Sequence, residues 1–155
     1  SSWEAIKAKE REKKQDGKPD TLSALDGVSV AYPALLRAEK LQKRAARVGF
    51  DWSNTEPVFG KLDEEIHELK EVLNTSSDRS LLEEELGDIL FTCVNIARHL
   101  KLDPETALHK ANQKFTKRFQ FIEKSLKEEL NIKPESADFS DLENRWTRSK
   151  LIDNE

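Results

Sequence analysis

KLDEEIHELKEVLNTSSDRSLLEEELGD, residues 61–88, carries two acidic clusters, Glu64-Glu65-x-x-Glu68 and Glu83-Glu84-Glu85-x-x-Asp88, on either side of a polar turn. Ahead of Asn74, apolar residues fall at Leu62, Ile66, Leu69 and Leu73, a spacing that shares one face only in a helix. At about 100° per residue, Lys61, Glu65 and Glu68 lie along one flank of that stripe, while Glu64 and His67 point well away from it. Beyond the turn, Leu82, Leu86, Ile89, Cys93, Ile96 and Leu100 form a second stripe, edged by Glu85, Asp88, Thr92 and Asn95. Carboxylates beside an apolar seam are costly to desolvate unless positive charge meets them. A turn this short makes the two helices antiparallel neighbours, so the pairs Glu65/Glu68 and Glu85/Asp88 are expected to converge. Four such oxygen ligands suit a hard divalent cation, Mg²⁺ or Mn²⁺.

In a chain that is 36% charged, a Glu-rich helix face is ordinarily solvated surface. What argues otherwise is repetition: two i, i+3 acidic pairs, each at the border of an apolar stripe, joined by a short turn. The 155 residues are one domain's worth of chain, with 36% hydrophobic residues arranged periodically. Five Gly and five Pro fall mostly between periodic segments, which predicts few, long helices. A net charge of −4 argues against general nucleic-acid binding. No apolar run reaches the roughly 18 residues of a membrane span, and no signal peptide is read at the start. The single Cys93 excludes an internal disulfide and is expected to be a buried structural thiol, consistent with a cytoplasmic protein.

Taken in order, Ser1 to about Asp26 reads as a short charged helix, WEAIKAKEREKKQ, followed by a flexible linker containing DGKPD. The next helix begins near Pro33 and ends at Gly49, with Leu35, Ala38, Leu41, Ala45 and Val48 as its inner face. Its Arg37, Lys40, Lys43, Arg44 and Arg47 read as solvated charge favoured toward a helix C-terminus, with facing an anionic ligand as the alternative. Thr55-Glu56-Pro57 signals the start of the first acidic helix, and Trp52 before it is either core or one wall of a base pocket. Ser80-x-x-Glu83 offers a capping box for the second, with Ser77 competing. Asp103-Pro104 opens a long helix running to about Leu130, with Leu108, Ala111, Phe115, Phe119, Ile122 and Leu126 as its stripe. On it Lys114 and Arg118 stand one turn apart, able to hold one phosphate group or to pair with a neighbouring helix. A polar loop then leads to a last helix capped by Ser140-x-x-Glu143, with Trp146 and Lys150 on one face.

Glu65-x-x-Glu68 followed by Glu85-x-x-Asp88, within EEIHE and EEELGDILF, resembles the MazG family of all-α nucleoside triphosphate pyrophosphohydrolases. RAEKLQKRAARVGFDW, VNIARHL and KANQKFTKRF extend the likeness in order, from about Leu35 to Lys150. The resemblance implies an all-α, MazG-like helical bundle with a central antiparallel pair of acidic helices, dimeric in solution. It implies tandem domains, of which this chain looks like the C-terminal one: residues 1–28 a charged segment and linker, residues 29–155 the catalytic domain. It implies Mg²⁺-dependent hydrolysis of a nucleoside triphosphate to the monophosphate and pyrophosphate, with Mn²⁺ as a substitute, in a house-cleaning role. Glu65, Glu68, Glu85 and Asp88 would be the metal-binding and catalytic residues. Lys61, Lys114, Arg118, Trp146 and Lys150 would bind substrate, Trp146 and Lys150 by their family counterparts' place at the nucleotide. The chain has no Gly-rich phosphate cradle, which suits phosphate binding through metal ions.

Narrower activities on dUTP or phosphoribosyl-ATP share the acidic motifs, and a non-catalytic helical dimerisation module would keep the fold. A di-iron carboxylate bundle needs Glu-x-x-His on two helices. Glu64-x-x-His67 supplies one, off the Glu65/Glu68 flank, and neither His99 nor His109 supplies another.

Overall fold

The computed structural model describes residues 2–14 and 22–152. It is all-α: among the described residues there is no strand. Two compact units divide it, Ser1–Pro104 and Glu105–Glu155. The linker expected around DGKPD lies outside the described residues.

In the first unit α1 (Ser2–Lys14) is the expected charged helix, and α2 spans Ala34–Arg47. Gly49 closes α2 at φ 93°, where a side chain on Cβ would be strained. There Phe50 N donates to Ala45 O and Gly49 N to Ala46 O, the paired bonds of a Schellman motif that turn the chain toward Asp51 and Trp52. The acidic helices α3 (Glu56–Thr75) and α4 (Arg79–His99) pack on each other across the turn Ser76–Asp78, and α2 packs on α4. Thr55 holds the expected N-cap position of α3, but neither it nor the expected serines supplies a side-chain cap. Asn54 Oδ1 accepts from Glu56 N instead. Asp78, not Ser77 or Ser80, caps α4, its Oδ1 accepting from Ser80 N at 2.9 Å.

The apolar core here is small. Val58 and Val94 are fully buried, in company with the polar Gln42, Glu65, Thr92 and Asn95. Gln42 bridges α2 to α4 by donating from Nε2 to Phe91 O at 2.9 Å. α4 turns its Glu85–Thr92–Asn95 edge inward and leaves Leu86, Leu90, Cys93 and Leu100 exposed. The expected buried thiol is therefore corrected: Cys93 lies on the uncovered side of α4 because packing selects the polar edge over the middle of the stripe. Val48, expected inside, is also exposed, since it lies past the last turn of α2.

The second unit contains α5 (Pro104–Leu130, Glu105 onward), a 3-10 turn (Pro134–Ser136) and α6 (Phe139–Ile152). Ile122 and Leu126 are its buried apolar residues, whereas Leu108, Phe115 and Phe119 of the same stripe are exposed. Arg145, buried on α6, donates to Ser125 Oγ, Glu129 Oε2 and Asp141 Oδ1 at 2.9, 2.8 and 3.1 Å. Asp138 O accepts from Leu142 N, so Asp138 holds the cap position expected of Ser140, which falls inside the first turn.

Candidate active site

The pairing of α3 with α4 brings carboxylates from both helices together. One oxygen each of Glu65, Glu68 and Glu85 can lie within 4.8 Å of the others, a group able to hold a metal ion. Glu65 is 5% exposed, its Oε1 3.0 Å from Lys61 Nζ and its Oε2 buried without a hydrogen-bond partner. Glu85 Oε2 is likewise buried and unpartnered. Burial pushes the Glu85 carboxyl above its ordinary range, and the negative fields of Glu68, Asp88 and Glu65 push it further. Lys61 answers part of this charge. Its hydrogen bonds to Glu65 and Glu64 raise the ammonium pKa.

Asp88 is exposed and stands outside the three-carboxylate group. It lines a cavity with Lys61 and Glu65 and is near enough to Glu85 to raise its pKa. Four carboxylates were expected to converge, and three do so, with the fourth at the margin. His67 pairs with Glu71 at 3.1 Å on the exposed side of α3, away from the group, and gives no support to a di-iron centre.

That cavity, about 620 Å³, runs within the first unit from the carboxylates to the loop after α2. Trp52, Phe50 and Phe91 are among its walls, and Trp52, 42% exposed, is not a core residue. Asn95, Arg98 and Asp51 line it too. Asp51 takes two bonds from Arg98, of 3.0 and 2.6 Å, and one from His99 Nε2 at 2.8 Å. Arg98 above all, then His99, lowers the Asp51 carboxyl to about 2. Sequence reading missed this cluster, because Asp51 and Arg98 are 47 residues apart and no local pattern links them.

The other expected substrate-binding residues lie in the second unit. The Arg118 guanidinium stands 5.4 Å from the Trp146 ring centre, and Phe115 packs on Trp146 with ring centres 5.7 Å apart. Arg118 and Trp146 thus share a patch spanning α5 and α6, while Lys114 and Lys150 are exposed.

An all-α pair of acidic helices with convergent carboxylates is an arrangement able to hold a divalent cation. Residues 55–121 match the MazG nucleotide pyrophosphohydrolase domain, and likeness to MazG proteins extends over most of the chain. The nucleoside triphosphate pyrophosphohydrolase of Escherichia coli strain K12 is 43% identical over 149 residues, covering 96% of this chain and 54% of that protein. The nucleoside triphosphate pyrophosphohydrolase/pyrophosphatase MazG of Thermotoga maritima is 39% identical over 148 residues, with the same shares, 96% and 54%. The uncharacterized protein YabN of Bacillus subtilis is 38% identical over 150 residues, covering 97% of this chain and 29% of that protein. The chain spans about half the length of the first two relatives.

Proposed function

We propose that this chain hydrolyses nucleoside triphosphates to nucleoside monophosphate and pyrophosphate, with Mg²⁺ as cofactor and Mn²⁺ as a substitute. The observation that carries the reading is the meeting of Glu65, Glu68 and Glu85 across two helices, with two buried carboxylate oxygens unpartnered. Like charges so placed repel, and a hard cation removes both the repulsion and the unmet acceptors, so the donor set fits a divalent ion. Glu65, Glu68, Glu85 and Asp88 would hold it. When bound, such an ion supplies charge for phosphate oxygens and acidifies an attacking water.

Lys61, already paired with Glu65, offsets part of that carboxylate's charge and adds positive charge beside the phosphates. Lys114, Arg118 and Lys150 are proposed to neutralise the leaving pyrophosphate, with the forked donors of Arg118 held by Trp146. Residues 29–155 are proposed as the catalytic domain and residues 1–28 as a charged lead-in. The exposed Leu86, Leu90 and Leu100 support a homodimer, in which a second copy covers the open side of α4. No described helix is long and apolar enough to cross a membrane, and a cytoplasmic enzyme without nucleic-acid or membrane partners is the proposed setting.

Chromatography of one reaction mixture tests the reaction. Monophosphate and pyrophosphate should appear in equal amounts, cease with EDTA and return with Mg²⁺ or Mn²⁺. Diphosphate and free phosphate as first products would overturn it.

A further inference from the structure

The cavity beside the carboxylates is within the range of small-ligand sites, about 300–1,000 Å³. Its walls are of two kinds. Leu41, Trp52 and Phe91 give flat apolar and aromatic surface, and Asn95 places a polar group among them. Asn95 is 7% exposed, and only one end of its amide is used. Its Oδ1 accepts from Arg98 Nε and Nη2 at 3.2 and 2.7 Å, and no hydrogen bond from Nδ2 is found among the described residues.

A guanidinium has donors and no acceptor, so Arg98 selects the amide orientation with oxygen toward itself. Arg98 cannot turn freely either, because Asp51 grips it by two bonds. The relay Asp51–Arg98–Asn95 therefore presents one oriented N–H donor from the wall of a largely apolar cavity. Asp51 also belongs to the loop carrying Trp52, so the same grip fixes an aromatic wall beside that donor.

We propose that this cavity takes the nucleobase of the substrate, and that Asn95 Nδ2 reads an acceptor on the base edge, a ring nitrogen or carbonyl oxygen. Asp51 and Arg98 are positioning residues for that contact. The inference rests on the triphosphate reading above: with phosphates at Glu65 and Asp88, which line the same cavity, the nucleoside has this space to enter. A base is flat, apolar on its faces and polar on its edge, and these walls match that distribution.

Asn95→Asp keeps an acceptor for Arg98 and replaces the free donor by a second acceptor. With ATP, GTP, CTP and UTP compared by kcat/KM, the preferred base should lose about ten-fold or more relative to the least preferred. Arg98→Lys, which keeps charge without the fork, should narrow the preference several-fold. Calorimetry with free nucleosides and no metal reads the same contact without turnover, and the variant should bind them in a different order. On the unaltered protein, one analogue lacking a ring nitrogen or carbonyl oxygen should bind about ten-fold more weakly than its parent. If Asn95→Asp lowers all four triphosphates by one factor, or if no nucleoside binds either form, the base assignment is overturned while pyrophosphate release can persist. If no triphosphate is hydrolysed but nucleosides bind in an Asn95-dependent order, the reaction falls and the base site stands.

Discussion

Two glutamates on helix–helix seams, one in each unit, meet opposite fates. Glu129 of α5 receives Arg148 and the buried Arg145 of α6, and these hydrogen bonds, Arg148 first, hold its carboxyl below the ordinary range. Glu85 of α4 faces three other carboxylates, keeps one oxygen buried without a partner, and has its pKa raised. The first arrangement is complete within the chain. The second leaves buried carboxylate oxygens without a partner among the described residues. A satisfied polar cluster fastens helices together, whereas an unsatisfied one marks a place where a ligand is part of the chemistry.

The largest effect expected from breaking this contrast is on turnover. Glu85→Gln should lower kcat by at least about 10²-fold, the scale of removing one preorganised electrostatic contact, with little loss of thermal stability because a repelling charge is removed. Full activity in a Glu85→Gln enzyme assay would reverse the roles assigned to the two glutamates.

Next comes the stability of the satisfied cluster. Arg145→Met should destabilise the protein by about 2 kcal/mol in urea unfolding, since it removes the buried guanidinium's bonds to Ser125, Asp141 and Glu129 while Glu129 keeps Arg148. An unchanged midpoint would show that the seam is held by Ile122 and Leu126 alone.

The smallest effect is pH-dependent and sharpens the comparison with a third carboxylate. Asp51 titrates at about 2 in the folded chain, below the about 4 of an unfolded aspartate. Its stabilisation is therefore fully present above pH about 4 and is lost as pH falls from 4 toward 2. Asp51→Asn should cost about 1 kcal/mol at neutral pH, a figure kept low for a partly exposed pair, and flatten that acid limb. An acid unfolding curve identical to the wild type would mean that Arg98 and His99 do not hold Asp51 in solution.

Much of the architecture was legible in advance. Gly49 and Pro104 mark helix ends where a φ of 93° and a first-turn proline are needed, and α5 ends at Leu130 as its periodicity indicates. Lys61, Glu65 and Glu68 fall together because the helical repeat alone puts them on one flank. The caps were less legible: Asn54 supplies the side-chain bond beside the N-cap Thr55, and Asp78 and Asp138 hold positions for which neighbouring Ser80 and Ser140 are chemically just as suitable. Which one wins depends on where the turn leaves the preceding helix.

The chain by itself determined the helices, their phase and the pairing of acids at i, i+3, since these follow from backbone hydrogen bonds between residues four apart. Only tertiary structure decided which side of α4 is covered. The Glu85–Thr92–Asn95 edge went inward and Cys93 outward because α2 and α3 pack against that edge. It also decided that Asp88 stands aside from the other three carboxylates, and that Asp51 reaches Arg98 across 47 residues. A helical repeat sets where a side chain lies around its own axis, but what meets that side chain is set by the placement of other helices.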